Sequence, residues 1–327
     1  MILAGDIGGT KTNLALYEYK NEKLELKLQH QFVSQKYQNF SDVIEEFILS
    51  YKVENIEAIC LGIAGPIING VCRTTNLPWI IDTKELQKVC NTLKVKLLND
   101  LEATAYGMLY LNEDEFISIN SNAKKEEGNK AVIAAGTGLG EAILFYDGTN
   151  YHPIGSEGGH CDFAPLNPLQ DELLTWMRKR HNEHVSVERL VCGIGIYTIY
   201  EFLKERNFAE ESNLMSEISN VDDKNALVTQ CALKNDPLCV ETMRIFVEIY
   251  GAEAGNLALK CLSLGGVYIG GGIAPKILPF LIDGNFLKAF CAKGRFKKTL
   301  LNMEIKISLN QNTALLGAAN FAVDKLK

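Results

Sequence analysis

The apolar positions of this chain fall into short runs, and the places where their period changes mark its elements. Residues 2–4 and 13–19 are apolar or β-prone runs joined by a glycine-rich turn, which is a hairpin pattern. A third strand is predicted around 24–33, where Leu24, Leu26 and Leu28 alternate with polar neighbours. Ser41, followed by Asp42 and Glu45, predicts the opening of an amphipathic helix that runs to about Ser50. "EAICLGIAGPI" reads as a buried strand stopped at Gly65-Pro66, "VKLLND" as another strand, and "LEATAYGMLYL" as the helix that follows it. This β-β-β-α-β-α order predicts an α/β domain with a mixed sheet.

The middle of the chain repeats the opening. "ILAGDIGGTKTNLALY" and "VIAAGTGLGEAILFY" share one shape: apolar strand, Gly/Thr turn, apolar strand ending in Tyr. Two such hairpins about 130 residues apart suggest two similar half-structures facing each other. From about residue 186 the pattern turns helical, with a long helix over roughly 237–262, then the strand "GGVYIGGGI" and a final helix "TALLGAANFAVDKL". Residues 120–130 are polar and read as an exposed loop.

At 327 residues the chain exceeds the usual single domain, so two domains are expected, each with its own core. The net charge of −7 argues against nucleic acid or an anionic membrane surface as partner, since both reward basic faces. No apolar run reaches the roughly 18 to 20 residues that span a bilayer. Met1 is not followed by a charged segment and an apolar stretch, so no export signal is expected and the predicted location is the cytoplasm. The nine cysteines form no CxxC pair and are expected as reduced, buried thiols.

Candidate chemistry begins with "GDIGGTKT". Gly8 and Gly9 let backbone N–H groups turn toward an anion, Thr10 and Thr12 add hydroxyls, and Lys11 adds a cation. Asp6, at the end of the first strand, could hold hydrated Mg²⁺. The segment misses a Walker A motif, which needs Gly where Thr10 stands and a helix after the turn. A plain tight turn is the other reading. Gly136, Thr137 and Gly138 of "GTGLG" form a second phosphate candidate, whose weight comes from its pairing with the first. Gly270, Gly271 and Gly272 follow a strand and precede a helix expected near Ala274-Pro275, which suits the close approach of a nucleotide.

Asn99 and Asp100 end a buried strand. Phosphoryl transfer to a hydroxyl needs a carboxylate to take its proton, and Asp100 could serve. An Asn-Asp pair after a strand is more often a cap of the next helix, and the two roles are compatible. In "GSEGGHCDF", Glu157 and His160 could grip sugar hydroxyls. Glu188 in "VSVERL" and Asn76 in "TTNLPW", with Trp79 near it as a possible wall, complete the candidates.

Taken in order, these segments resemble the bacterial glucokinase family of the actin/hexokinase/Hsp70 superfamily over essentially the full chain. The resemblance implies a two-domain α/β fold of ribonuclease-H-like, actin/hexokinase type. A small domain (1–110 plus 312–327) and a large one (111–311) would flank a cleft. It further implies an ATP-dependent kinase that makes glucose 6-phosphate from D-glucose, with Asp100 as base. Asn76, Asn99, Asp100, Glu157, His160 and Glu188 would bind the sugar. The two hairpin turns would hold phosphate, and Gly270–Gly272 the adenosine. Mg²⁺ and a homodimer are implied as well. The related ROK sugar kinases and repressors carry a zinc-binding CxCGxxGC after the "GGH" loop. Here "GHCDFAPLNP" follows instead, so no zinc is expected. A repressor would also need a DNA-binding module ahead of the first phosphate segment, which begins at Gly5.

Overall fold

The first apolar run shows no polar alternation because both of its faces are covered. In the computed structural model, which describes all residues except 75–76, 182–183, 214, 216–222 and 327, strand β1 (Ile2–Ile7) is buried almost throughout. Leu3 and Ile7 point into one core cluster, whereas Ile2 and Ala4 point into another. Strand β2 (Lys11–Lys20) pairs antiparallel with β1, and β3 (Lys23–Val33) antiparallel with β2. Helix α1 (Phe40–Tyr51) lays Phe40, Val43, Ile44 and Phe47 against the first cluster. It opens earlier than the sequence reading expected. Asn39 and Asp42 form its capping box, since Asn is as good a cap as Ser and has the acid three positions on. Ser41 therefore lies inside the first turn and bonds Glu85 instead.

Strand β4 (Ala58–Ile63) adds parallel to β1. Three short strands, β5 (Ile67–Ile68), β6 (Val71–Arg73) and β7 (Ile80–Asp82), form a small antiparallel sheet. Helix α2 (Thr83–Val89), strand β8 (Val95–Asn99, parallel to β4) and helix α3 (Asp100–Met108) follow. The resulting sheet has the order β3-β2-β1-β4-β8.

A second sheet is built from β9 (Phe116–Ser118), β10 (Lys130–Ala135), β11 (Leu139–Tyr146) and β12 (Tyr151–Ser156). Helices α4 (Pro168–Arg178), α5 (Gly193–Glu205), α6 (Lys224–Leu233) and α7 (Pro237–Cys261) intervene. Then come β13 (Val267–Gly270), α8 (Leu278–Leu281), α9 (Asn285–Phe290), α10 (Lys297–Leu301) and β14 (Ile305–Ser308). The order is β12-β11-β10-β13-β14-β9, with β13 parallel to β10 and β14 parallel to β13. Apart from the added edge strand β9, this repeats the order of the first sheet.

Helix α11 (Thr313–Leu326) covers β1 and β4 with Leu315, Ala318, Ala319 and Ala322. The facing residues are small (Ala4, Ala15, Ala58, Cys60), which lets the helix lie close. Its approach to α3 is closer still. A Cβ at Gly107 or Gly317 would collide with the backbone oxygen of Thr313 or Ala103, so glycine is required at both. This crossing fixes α3, and with it Asn99 and Asp100.

Contacts divide the chain into two compact units. One comprises Met1–Glu115, Ala142–Gly155 and Asn310–Lys327, the other Phe116–Glu141 and Ser156–Leu309. Among the described residues no helix is long and apolar enough to cross a membrane.

Candidate active site

In the first unit the glycine-rich turn is short, because Gly5, Asp6, Lys11 and Thr12 belong to its flanking strands. Gly8 donates its N–H to the Lys11 carbonyl at 3.0 Å, and Thr10 and Lys11 stand exposed at the tip. The turn is held from behind. Ser34 donates its hydroxyl to the Gly8 carbonyl (2.8 Å) and its N–H to the Thr10 carbonyl (3.0 Å). Thr12, expected to offer its hydroxyl to phosphate, is instead fully buried and bonds Ser34 Oγ at 3.0 Å. With the Ser34 proton given to Gly8, Thr12 is the donor in that pair, and it supports the turn rather than facing outward.

Asp6 ends a cross-strand ladder of polar side chains. Asn13 lies opposite it on β2, and Gln31 lies opposite Asn13 on β3. Gln31 donates to Asn13 Oδ1 at 2.9 Å, which orients the Asn13 amide to donate to Asp6 Oδ2 at 3.4 Å. Burial holds the Asp6 carboxyl above the usual carboxylate range, and the Asn13 bond offsets part of that rise. A cation beside Asp6 would relieve the cost. A single carboxylate suits Mg²⁺, which keeps several waters and takes its remaining ligands from phosphate.

Asn99 and Asp100 divide the start of α3 between them. Asn99 is the cap: its Oδ1 accepts from the Leu101 N–H at 2.9 Å, and Glu102 accepts from the Asn99 N–H at 2.8 Å. Asp100 occupies the first helical position, and its Oδ1 also accepts from Leu101 N–H at 2.9 Å. A negative side chain is favoured there by the helix dipole. Burial, and then the Asp100 charge, push the nearby Cys72 thiol up, which places that charge close to the Gly65–Arg73 segment. Asn99 also donates to the Gly65 carbonyl at 3.4 Å. Glu102 does double service, because its other oxygen accepts from the Gly155 N–H at 3.3 Å.

Asn76 lies outside the described residues. Trp79, considered as a wall for the sugar, is a core residue at 1% exposure. It donates its ring N–H to the Tyr37 carbonyl at 3.1 Å and packs on Phe40. Leu77, Trp79 and Ile81 continue the apolar cluster under the small sheet, which explains the inward turn.

In the second unit three sequence segments come together. The 136–138 turn closes through Gly136 N–H to the Gly138 carbonyl (2.8 Å), and Gly193 donates to the Gly136 carbonyl (2.9 Å). Glu188, on a 3₁₀ turn at Val187–Arg189, accepts from the Leu139 N–H at 2.9 Å. A Cβ at Gly138 would stand 2.5 Å from Glu188 Oε2, so this carboxylate reaches the turn only past a glycine. Its Oε1 lies 3.9 Å from His160 Nδ1. Glu157 and His160 are both exposed, bracketing a 3₁₀ turn at Gly158–His160. The two glycines between them are buried because β11 lies against them: a Cβ on Gly158 would collide with Glu141, and one on Gly159 with the Leu139 carbonyl. Glu141, not singled out by the sequence reading, is thus part of the support.

Gly271 and Gly272 are exposed after β13, and Gly270 is its buried last residue. Gly271 has a φ of +83°, and a Cβ there would strike the Ala135 backbone, so it allows β13 to turn beside β10. The element that follows departs from expectation. It is a 3₁₀ turn at Ala274–Ile277 and then the short α8, since Pro279 has no N–H for the Pro275 carbonyl and restarts the helix. The described residues contain no group of three or more His, Cys, Asp or Glu side chains able to hold a metal ion.

These arrangements can be set beside known proteins. The family model for Glucokinase matches residues 3–325. A glucokinase of Nostoc punctiforme is 39% identical over 333 residues, covering 98% of each chain. The crystal structure of a glucokinase from an Antarctic psychrotroph superposes with a TM-score of 0.84 at 29% identity, covering 99% of each chain. A ROK-family glucokinase from Streptomyces griseus, solved in complex with glucose and AMPPNP, superposes at 0.67 with 18% identity, over 98% of this chain and 99% of that one, and shares the fold. With two sheets of repeated strand order and a family match from end to end, the chain belongs to the glucokinase family, on the two-domain actin-like fold.

Proposed function

We propose that this protein phosphorylates D-glucose at the expense of ATP, giving glucose 6-phosphate and ADP, with Asp100 as the general base. The observation that carries the base assignment is the division of labour at the start of α3. Asn99 and Glu102 supply the capping box, so the geometry of the helix start does not rest on Asp100 alone. In the proposed reaction the Asp100 carboxylate accepts the proton of the sugar 6-hydroxyl. That oxygen forms a bond to the γ-phosphorus as the bond from γ-phosphorus to the bridging oxygen breaks, and ADP leaves. Asn99 orients the same end of the sugar. Glu157, His160 and Glu188 take its other hydroxyls, with the Leu139 N–H holding Glu188 in place. Asn76 is assigned to the sugar by family resemblance only.

For ATP, the turns at Gly8–Lys11 and Gly136–Gly138 are assigned to phosphate, with Thr10 and Lys11 as exposed donors and Thr12 as the brace. Thr137 is exposed on the second turn. Gly270–Gly272 is assigned to the nucleoside. The AMPPNP bound to the Streptomyces griseus protein supports an adenine nucleotide as donor, and its glucose supports the acceptor. Asp6 would hold Mg²⁺ through water. When bound, the ion neutralises charge that builds up on the phosphate oxygens. The assembly implied by the resemblance is a homodimer in the cytoplasm.

A coupled ADP-release assay over a panel of hexoses tests this reading. Glucose is expected to give the highest kcat/KM. No sugar-dependent ADP release with any hexose would contradict it.

A further inference from the structure

One buried acid in the second unit has no part in the chemistry above. Glu141 lies on β11, two residues beyond Leu139, at 1% exposure, and its Oε1 has no hydrogen-bond partner. An ionised carboxylate in that position would be costly. The charged and titratable groups around it come from two elements. Helix α7 contributes Tyr250, Glu253, Lys260 and Cys261, and Lys293, in the segment after α9, faces Glu253 and Lys260 in turn.

These groups serve one another and leave Glu141 aside. Lys260 Nζ stands 3.5 Å from Glu253 Oε1, an ion-pair distance without hydrogen-bond geometry. Asn256 donates to Glu253 Oε2 at 2.8 Å, and Lys293 donates to Asn256 Oδ1 at 2.5 Å. The Tyr250 hydroxyl is committed to the β10 backbone, accepting from Ala135 N–H and donating to the Ile133 carbonyl. What remains is a pair of carboxyl oxygens, Glu141 Oε1 and Glu253 Oε1, each lacking a hydrogen bond. A hydrogen bond with the Glu253 side chain is among the causes that raise the Glu141 carboxyl. A single proton satisfies both, because a protonated carboxyl is a donor and an ionised one only an acceptor. It belongs on Glu141, since Glu253 already has Lys260 and Asn256. Burial, followed by the Glu253 charge, pushes Glu141 up to about 7, with Lys260 opposing.

The pair touches the site through Gly158. Glu141 Oε2 fills the space that a Cβ would occupy there, at the turn that carries Glu157 and His160. We propose that Glu141 is a positioning residue for this turn: its protonated carboxyl donates to Glu253 and seats against Gly158, and loss of the proton shifts the 156–160 segment. The consequence for glucose rests on the reading of Glu157 and His160 as sugar ligands. As pH rises through about 7 the proton goes to solvent, two negative charges face each other, and the seat under Gly158 is lost.

Cys161 follows the turn and is exposed, whereas the other eight cysteines are buried. A trifluoromethyl label on Cys161 of the intact chain therefore reports on the turn without any sugar present. Its fluorine resonance is expected to show a step with a midpoint near 7. Glu141→Gln keeps a donor and removes the titrating proton, so that step should vanish. Absence of the step in the unaltered chain, or its full retention in Glu141→Gln, would overturn the proposal. Should Glu141→Gln fail to fold, Glu253→Gln replaces it. Without the neighbouring negative charge the step should move to lower pH, and an unmoved step would again overturn the proposal. In the same pH range KM for glucose should rise several-fold in the unaltered chain and stay level in Glu141→Gln, with KM for ATP alike in both. A label that titrates beside a level KM for glucose would uphold the proton pair and count against Glu157 and His160 as sugar ligands.

Discussion

The two glycine-rich hairpins occupy the same place in their sheets and are supported by opposite chemistry. The β1–β2 turn is held by neutral groups: Ser34 and Thr12 behind it, and Asn13 and Gln31 orienting Asp6. The β10–β11 turn is held by carboxylates, with Glu188 on the Leu139 N–H and Glu141 under the neighbouring Gly158. Strand order alone makes the two look alike. Burial raises a carboxyl beside each turn, Asp6 in the first and Glu141 in the second, but only Glu141 leaves an oxygen without a hydrogen bond. A repeated topology thus fixes where a turn arrives, and the packing behind it decides what can disturb it.

The largest effect expected on the two hairpins follows from that difference and falls on stability. The Glu141 carboxyl sits at about 7 against an ordinary 4.5, so the folded state holds its proton more tightly than the unfolded chain does. Such a group contributes stability that is fully present below 4.5 and is lost as pH rises through 7. Glu141→Gln does not titrate. It should therefore be more stable than the unaltered chain by about 3 kcal/mol above that window, with the gap closing toward low pH. Urea unfolding at several pH values reads this directly, and a gap independent of pH would erase the contrast between the hairpins.

Next in size is Glu188→Ala. The Leu139 N–H loses its acceptor and His160 loses its neighbour, a loss of about 1 to 3 kcal/mol for a group left unpaired. KM for glucose should rise by roughly five- to a hundredfold, and KM for ATP should also rise because the 136–138 turn loses its anchor. A change in glucose KM alone would separate the turn from the sugar ligand.

Ser34→Ala is the counterpart in the first hairpin and should do less. The Gly8 carbonyl and Thr12 each lose a neutral partner, worth about 1 kcal/mol. KM for ATP should rise a few-fold and KM for glucose should hold. An equal loss on both substrates would show that the first turn is not specific to the nucleotide.

Much of this was legible in the sequence. Both hairpins, the 25-residue helix α7 and the closing helix α11 were readable from apolar runs and glycine positions. The parts that were missed depend on register or on distant partners. Asn13 and Gln31 join Asp6 only through the strand pairing, which no single segment reveals. Glu141 and Glu253 lie far apart in the chain and meet only because α7 packs on β10, the strand beside Glu141. Glu102, in contrast, was within reach: an Asn with an acid three positions on, at a strand-to-helix turn, is a capping-box signature. Trp79 misled because it sits in a polar loop among candidate sugar residues, while its ring belongs to the apolar cluster below.

In the proposed mechanism Asp100 takes the proton of the sugar hydroxyl while Asn99 and Glu102 hold the helix start. Asp100→Ala separates the two jobs in a single variant. With the capping box intact, its melting temperature should stay near that of the unaltered chain, and KM for ATP should change little. The turnover number should fall by about 10²- to 10⁴-fold, the usual worth of a general base. A folded Asp100→Ala protein that turns over glucose at close to the unaltered kcat would contradict the mechanism.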